Sequence, residues 1–464
     1  MTELSSAQNP LGTDKIGRLM LRFAIPSIIS IVVNSLYNMV DQVFIGQGVG
    51  YLGNAATNII LPLVTVMIST GMLIGDGAAA FMSLSLGRGK SNDASRGIGT
   101  AITLTIAAGV LLGILFQIFL EPLCRFFGGT PENLNYALEY GRIIVLGFPV
   151  AIINTSFTGM IRSDGRARES MIGLLIGCIT NIILDPVFIF IFRWGVAGAA
   201  WATIIGQALN AIYFIWCVTR FRTIRLRWAD LLPRISVVAK IIPLGLSSFI
   251  NQFAGVLVMY VLNTTLVTYG VMSQYGPDIP LAALGITQKA NQLVTGIAVG
   301  IAAGIQPILG YNYGSGQFDR VKKAFKLSVL WGTAFMLAVF VVFQVFPEQI
   351  VLLFGQESDL YMDFAVRCFR TYLFCCWLIP VGTAVGFFYQ SVGKPVQASI
   401  LSLSRQILLL IPAFIIFARI GGVEGVLWAG AFSDGLAALV AVLLIVIDWK
   451  KMFRSEKKDG SMLK

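Results

Sequence analysis

Across 464 residues the chain is 56% hydrophobic and only 12% charged, with a mean hydropathy of +0.80; soluble globular chains carry about 25% charged residues, so a large water-facing surface is excluded. The net charge of +11 is no nucleic-acid signal, because Lys and Arg cluster in alternate loops between apolar runs. Histidine is absent and the six cysteines follow no metal or disulfide spacing, so the commonest metal ligand and catalytic base are missing and an enzyme is not expected.

A membrane-spanning helix needs about 20 apolar residues. Runs that satisfy this lie at 21–46, 55–82, 98–121, 137–162, 169–192, 195–218, 239–268, 280–308, 324–347, 361–391, 398–418 and 422–448. The stretch before the first run is polar through Asp14, which predicts no cleavable signal peptide. Loops on one side carry Lys15 and Arg18, Arg88 and Lys90, Arg166 and Arg168, the arginines of 220–234, Arg320 and Lys322, Lys394 and the tail from Lys450. The other side shows Arg125, Arg193 and Arg419. The positive-inside rule then puts both termini in the cytoplasm, in a cell inner membrane.

Ionisable groups within spans cost at least about 2.5–3.5 kcal/mol on insertion scales, so each asks for a reason. On the first span Asn34, Asn38 and Asp41 follow one helical face; Asn181 and Asp185 are i, i+4 on the fifth, and Thr203, Gln207 and Asn210 repeat that spacing on the sixth. At 1.5 Å per residue all three helices bring these groups to the outer half of the membrane, where they can meet. Adjacent carboxylates repel and can hold a shared proton; with a Thr hydroxyl and an Asn carbonyl the same oxygens can ligate Na+. A hydrogen-bond network that merely locks three helices is the structural alternative. Asp76, read as roughly 31 Å down the second span, is expected near the cytoplasmic face, pairing with a loop arginine or capping a helix. In the second half Lys289, Arg405 and Asp434 lie within spans; Asp434 is expected in an internal ion pair and Lys289 in a cavity. Gly87-Arg-Gly-Lys-Ser91 is no phosphate loop, since the required earlier glycine is replaced by Leu84.

The halves repeat. RSDGRARESM after the fourth span matches QSVGKPVQAS after the tenth, and Gly195-Val-Ala-Gly matches Gly422-Val-Glu-Gly. The expected fold is an all-α membrane protein of twelve transmembrane helices in two six-helix bundles, related by a pseudo-two-fold along the membrane normal, with a cavity between them. The divisions are 1–218 for the first lobe, 219–238 for a cytoplasmic linker, 239–448 for the second lobe and 449–464 for a basic tail. By the repeat, Val258, Ile407, Ile411 and Gly430 stand where Asp41, Asn181, Asp185 and Thr203 stand in the first half, so the carboxylates belong to one lobe alone.

With Asn38-Met39-Val40-Asp41 in span one and Asn181-Ile-Ile-Leu-Asp185-Pro186 in span five, the sequence resembles the multidrug and toxic compound extrusion (MATE) transporters over nearly its whole length. The resemblance implies cation coupling at Asp41, Asn181, Asp185 and Thr203, the same four ligating the ion if it is Na+, and places Tyr37 and Asn154 on the lobe's cavity; Asn34, Gln207 and Lys289 complete the expected substrate cavity. A second branch of the family keeps its acid in the C-terminal lobe, but here span seven has Asn251 and Gln252 and span ten has no acid. The implied activity is export of amphipathic, often cationic compounds in exchange for H+ or Na+, with no other cofactor, by a monomer in the lipid bilayer that binds no nucleic acid. A lipid-linked precursor flippase of related fold is the alternative.

Overall fold

The computed structural model describes residues 9–352 and 358–452; the basic tail from 453 onward lies outside them. The described residues are helical, without strands. In hydrocarbon a backbone must satisfy its own hydrogen bonds, and an apolar chain does so segment by segment as helices. Helices α1 (Ile16–Gly48), α2 (Tyr51–Gly87) and α3 (Ser91–Ile118) are followed by α4, which comes in two arms, Leu134–Leu146 and Phe148–Ser163, bent by 55°. Gly147 sits at the bend and Pro149, lacking an amide hydrogen, opens the second arm. Next are α5 (Ala167–Pro186), which runs on as a wider π turn over Val187–Ile191, and α6 (Gly195–Thr219).

The second half repeats this order with α7 (Ile235–Gly270), α8 (Asp278–Gly314), α9 (Phe318–Val345) and α10 (Asp359–Ser391). The stretch Pro395–Trp449 is 55 residues, about 82 Å if straight and over twice the hydrocarbon thickness, so it must turn back. It does so at Gly421–Gly422, where Gly422 takes φ 61°, ψ −147°, a conformation open to glycine. The two pieces, 395–420 and 423–449, are α11 and α12. Twelve spans result, as expected from the apolar runs.

Three apolar cores hold them. At the end carrying the chain termini, one core mixes both halves: Leu19, Phe23, Met82, Met160 and Phe214 pack in the same cluster as Ile241, Ile305, Leu309 and Phe388. At the far end the halves keep separate cores, one around Ile45, Ile60, Leu120, Phe148 and Ile189, the other around Leu266, Leu284, Phe343, Phe364 and Phe414. The molecule is therefore joined at the terminal end and divided at the other.

The joint is made by glycine. Where α1 crosses α8, a Cβ added at Gly304 would stand 2.9 Å from the Ala24 backbone, one at Gly300 3.0 Å from Ile28, and one at Gly296 2.6 Å from Ile31 Cγ2. Where α2 crosses α7, a Cβ at Gly77 would meet the Ile241 carbonyl at 2.3 Å and one at Gly245 the Leu73 carbonyl at 1.8 Å. Small residues let the backbones touch. The segment between the lobes is tied to the first: the Asp164 carboxylate accepts from Arg222 N (3.0 Å), Thr223 N (2.9 Å) and Thr223 Oγ1 (2.6 Å), and Thr103 Oγ1 donates to the Leu231 carbonyl. The chain start is tied to the second, through Asn312 Nδ2 and Arg320 Nη2, both donating to the Leu11 carbonyl at 2.9 and 3.0 Å.

Gly245→Val should force α2 and α7 apart and lower stability by about 2 kcal/mol or more, read as a drop in melting temperature of the detergent-solubilised protein. Gly382→Ala, where an added Cβ meets nothing within 4 Å, is the neutral control.

Candidate functional site

In the first lobe α1, α5 and α6 converge on the polar residues that their sequence periodicity singles out. Asp185 is wholly buried and Asp41 is 6% exposed. Their carboxyl groups lie within hydrogen-bonding reach of each other. Asn181, one turn before Asp185, donates through Nδ2 to Asp185 Oδ1 and to Thr203 Oγ1, both at 3.2 Å. The Tyr37 hydroxyl has Thr203, Asp41 and Asp185 as its polar neighbours. Five residues from three helices thus form one connected cluster.

The cluster is short of donors. Asp41 Oδ1, Asp185 Oδ2 and Asn181 Oδ1 are all buried and receive no hydrogen bond among the described residues. Buried acceptors of this kind are costly unless answered. A proton held between the two carboxyl groups turns a repulsive contact into an O–H···O bond; a small hard cation would find carboxylate, amide and hydroxyl oxygens together. The donor set fits either ion.

Of the cavity residues expected from sequence, Tyr37 is drawn into this cluster rather than standing apart from it. Asn154 is buried and its Nδ2 donates to the Gln207 carbonyl at 2.8 Å, joining the second arm of α4 to α6. Asn34 and Lys289 are exposed. Tyr140 was not anticipated: from the first arm of α4 it comes within electrostatic range of Asp41, Asp185 and Tyr37. Its position follows from the bend at Gly147, which a count of residues along straight helices does not register.

Asp76 corrects an expectation. Helix α2 runs from Tyr51 to Gly87, so Asp76 stands 25 residues, about 37 Å, from its outer end and eleven residues, about 16 Å, from its terminal end, level with the last turn of α4. It caps no helix. Ser248 Oγ of α7 donates to Asp76 Oδ2 at 2.8 Å, Gln390 Nε2 donates to Ser248 Oγ at 3.2 Å, and Gln306 Nε2 donates to Gln390 Oε1 at 3.3 Å. Arg162, within α4 rather than a loop, is its electrostatic neighbour. Asp76 is thus the first-lobe end of a polar chain that enters the second lobe. Asp434 behaves as expected: Arg405 Nε and Nη2 donate to Asp434 Oδ1 at 3.0 and 2.9 Å.

Twelve apolar helices in two lobes, joined at one end and bearing a single buried carboxylate pair, define a multi-pass membrane transporter fold. The sequence model of the MatE family matches residues 26–187 and 253–415, once in each half. The chain belongs to that family of MATE transporters. It is 25% identical over 437 residues to the multidrug export protein MepA of Staphylococcus aureus (strain MSSA476), covering 93% of each chain, and 24% identical over 441 residues to MepA of Staphylococcus haemolyticus. Among solved structures it matches a MATE crystal structure in the straight conformation with a TM-score of 0.89 at 22% identity, covering 96% of this chain and 98% of that one. A MOP superfamily transporter from Pyrococcus furiosus matches equally, with a TM-score of 0.89, 22% identity and the same coverage.

Arg405→Met should leave Asp434 as an unanswered buried charge and lower stability by about 3 kcal/mol, the low end for such pairs because the Arg405 side chain is 31% exposed. The double variant Arg405→Met with Asp434→Leu should recover most of that loss, as a thermal-shift assay of all three proteins would show.

Proposed function

We propose that the protein is a cation-coupled antiporter that exports amphipathic, often cationic compounds by alternating access, with H+ or Na+ as the coupling ion. One observation carries this reading: Asp41 and Asp185 stand together, buried, with acceptor oxygens that no donor answers, in one lobe only. A structural network would close on itself, as Arg405 and Asp434 do. An arrangement that is complete only with an ion suits a site that fills and empties. The relatives named for multidrug export support the cargo class.

Orientation follows from the basic loops, which set the terminal end in the cytoplasm. The divided end then opens outward and the fused core closes the inner side. Helix α1 is the element suited to move. Pro26 interrupts its amide ladder, while Ser27 Oγ and Ser30 Oγ donate back to the Phe23 and Pro26 carbonyls at 2.9 and 2.8 Å, a pattern that favours bending. Relatives in the straight and the bent conformation match the chain about equally, with TM-scores of 0.89 and 0.88. Ion entry beside Asp41 changes the charge at the outer part of α1 and so biases which shape it holds, closing the first-lobe cavity and releasing cargo outward. The flippase alternative favours a strongly cationic cavity to meet a pyrophosphate, and with Arg405 engaged by Asp434 only Lys289 of the two in-span cations named from the sequence is left to do so.

Asp41→Asn and Asp185→Asn should each lower ethidium efflux from proteoliposomes about tenfold or more under imposed proton or sodium gradients. The gradient that drives wild-type efflux identifies the ion. Undiminished efflux from both variants ends the proposal.

A further inference from the structure

Lys289 is placed by the crossing of α1 and α8. The contacts Gly304 with Ala24, Gly300 with Ile28 and Gly296 with Ile31 set an antiparallel register in which the two residue numbers sum to 327 or 328. Lys289 lies seven residues from Gly296 and eleven from Gly300, so it projects from the same face of α8 within about 20°. Extending the register sets it opposite Asn38 of α1. There the helices have parted: Asn38, Lys289 and Gln292 are exposed, and an added Cβ at Gly285, one turn further out, meets nothing within 4 Å. The neighbouring side of α8 is turned into the second lobe, where Thr287 and Leu284 are fully buried and Gln288 Nε2 donates to the Tyr372 hydroxyl at 3.0 Å. Lys289 therefore faces the cleft between the lobes.

The residue is eleven positions into α8, about 16 Å from its outer end and within the apolar length of the helix. An ionisable group at that depth is costly and is ordinarily answered by a partner. Asp434 answers Arg405, and Asp76 is the electrostatic neighbour of Arg162. Among the described residues Lys289 makes no hydrogen bond and no ion pair. Asn38 and Gln292 beside it offer amides, which can donate to an anion but carry no charge to compete for the ammonium.

We infer that Lys289 is a specificity-determining residue that meets an anionic group, a carboxylate on an otherwise amphipathic cargo, in the cleft. The inference rests on the export reading and extends it: the carboxylate pair of the first lobe is kept for the ion, while the second lobe selects zwitterionic over purely cationic solutes.

The test compares wild-type protein with Lys289→Gln and Lys289→Arg in phosphatidylcholine proteoliposomes. Three probes are used: norfloxacin, which carries a carboxylate and an amine; its methyl ester, which keeps only the amine; and ethidium. Lys289→Gln should cut norfloxacin transport about tenfold while leaving the ester and ethidium within about twofold, and Lys289→Arg should retain most norfloxacin transport. An unchanged norfloxacin-to-ester ratio in Lys289→Gln overturns the inference, as does a wild-type protein that moves ethidium and the ester but not norfloxacin; both leave export standing. Discrimination seen only after phosphatidylglycerol is added would assign Lys289 to a lipid headgroup and also overturn it. Failure of wild-type protein with every probe removes the export reading and this inference together.

Discussion

A charge inside an apolar protein has to be answered, and how each buried carboxylate is answered sorts the interior of this molecule. Asp434 is met by a guanidinium through two donors. Asp76 is met by a hydroxyl backed by two glutamines, with Arg162 nearby. Asp41 and Asp185 are met chiefly by each other, with one amide, that of Asn181, donating to Asp185. Two of these solutions are complete within the fold, and the third is not. That difference, rather than the mere presence of acids in spans, sets the first-lobe cluster apart.

The duplication makes the contrast sharper. Both halves cross at glycines, and both contain a π turn in the corresponding helix, at Val187–Ile191 in α5 and at Ser404–Leu410 in α11. Such turns often accompany functional sites. In α5 it directly follows Asp185-Pro186; in α11 it holds Arg405, one side of a satisfied ion pair. The scaffold is shared while the chemistry has diverged, so one lobe carries a carboxylate pair with unanswered oxygens and the other a closed salt bridge.

Much of this was legible from the chain. Apolar run length gives the spans, and the spacing along α5 and α6 brings Asn181, Asp185 and Thr203 together, because helical period and rise are nearly fixed, while Asn34 and Asn38, read on one face with Asp41, stay exposed. What was not legible depends on bends and on contacts between helices. Asp76 was expected to meet a loop arginine or cap a helix, but its hydrogen-bond partner is Ser248 of the other lobe, which spacing within one helix does not show. Tyr140, on the first arm of the bent α4, comes within electrostatic range of the carboxylates, and Tyr37 turns toward Thr203 although Asn34 and Asn38 beside it are exposed. Sequence spacing orders residues around an axis; it does not say where the axis points.

The glycine crossings have a mechanical consequence. At Gly77 and Gly245 the two lobes meet backbone to backbone, with no side chain between them to repack. Carbonyls seated in such notches resist sliding along the helix axes, since any shift drives a ridge into a ridge, but they leave rotation about the crossing point free. The other crossing has the same form, Gly300 of α8 against Ile28 of α1, and from Gly300 to the outer end of α8 at Asp278 is 22 residues, about 33 Å. A turn of about 10° there would swing the far end by about 6 Å, so a small adjustment between touching backbones would become a large displacement at the divided end.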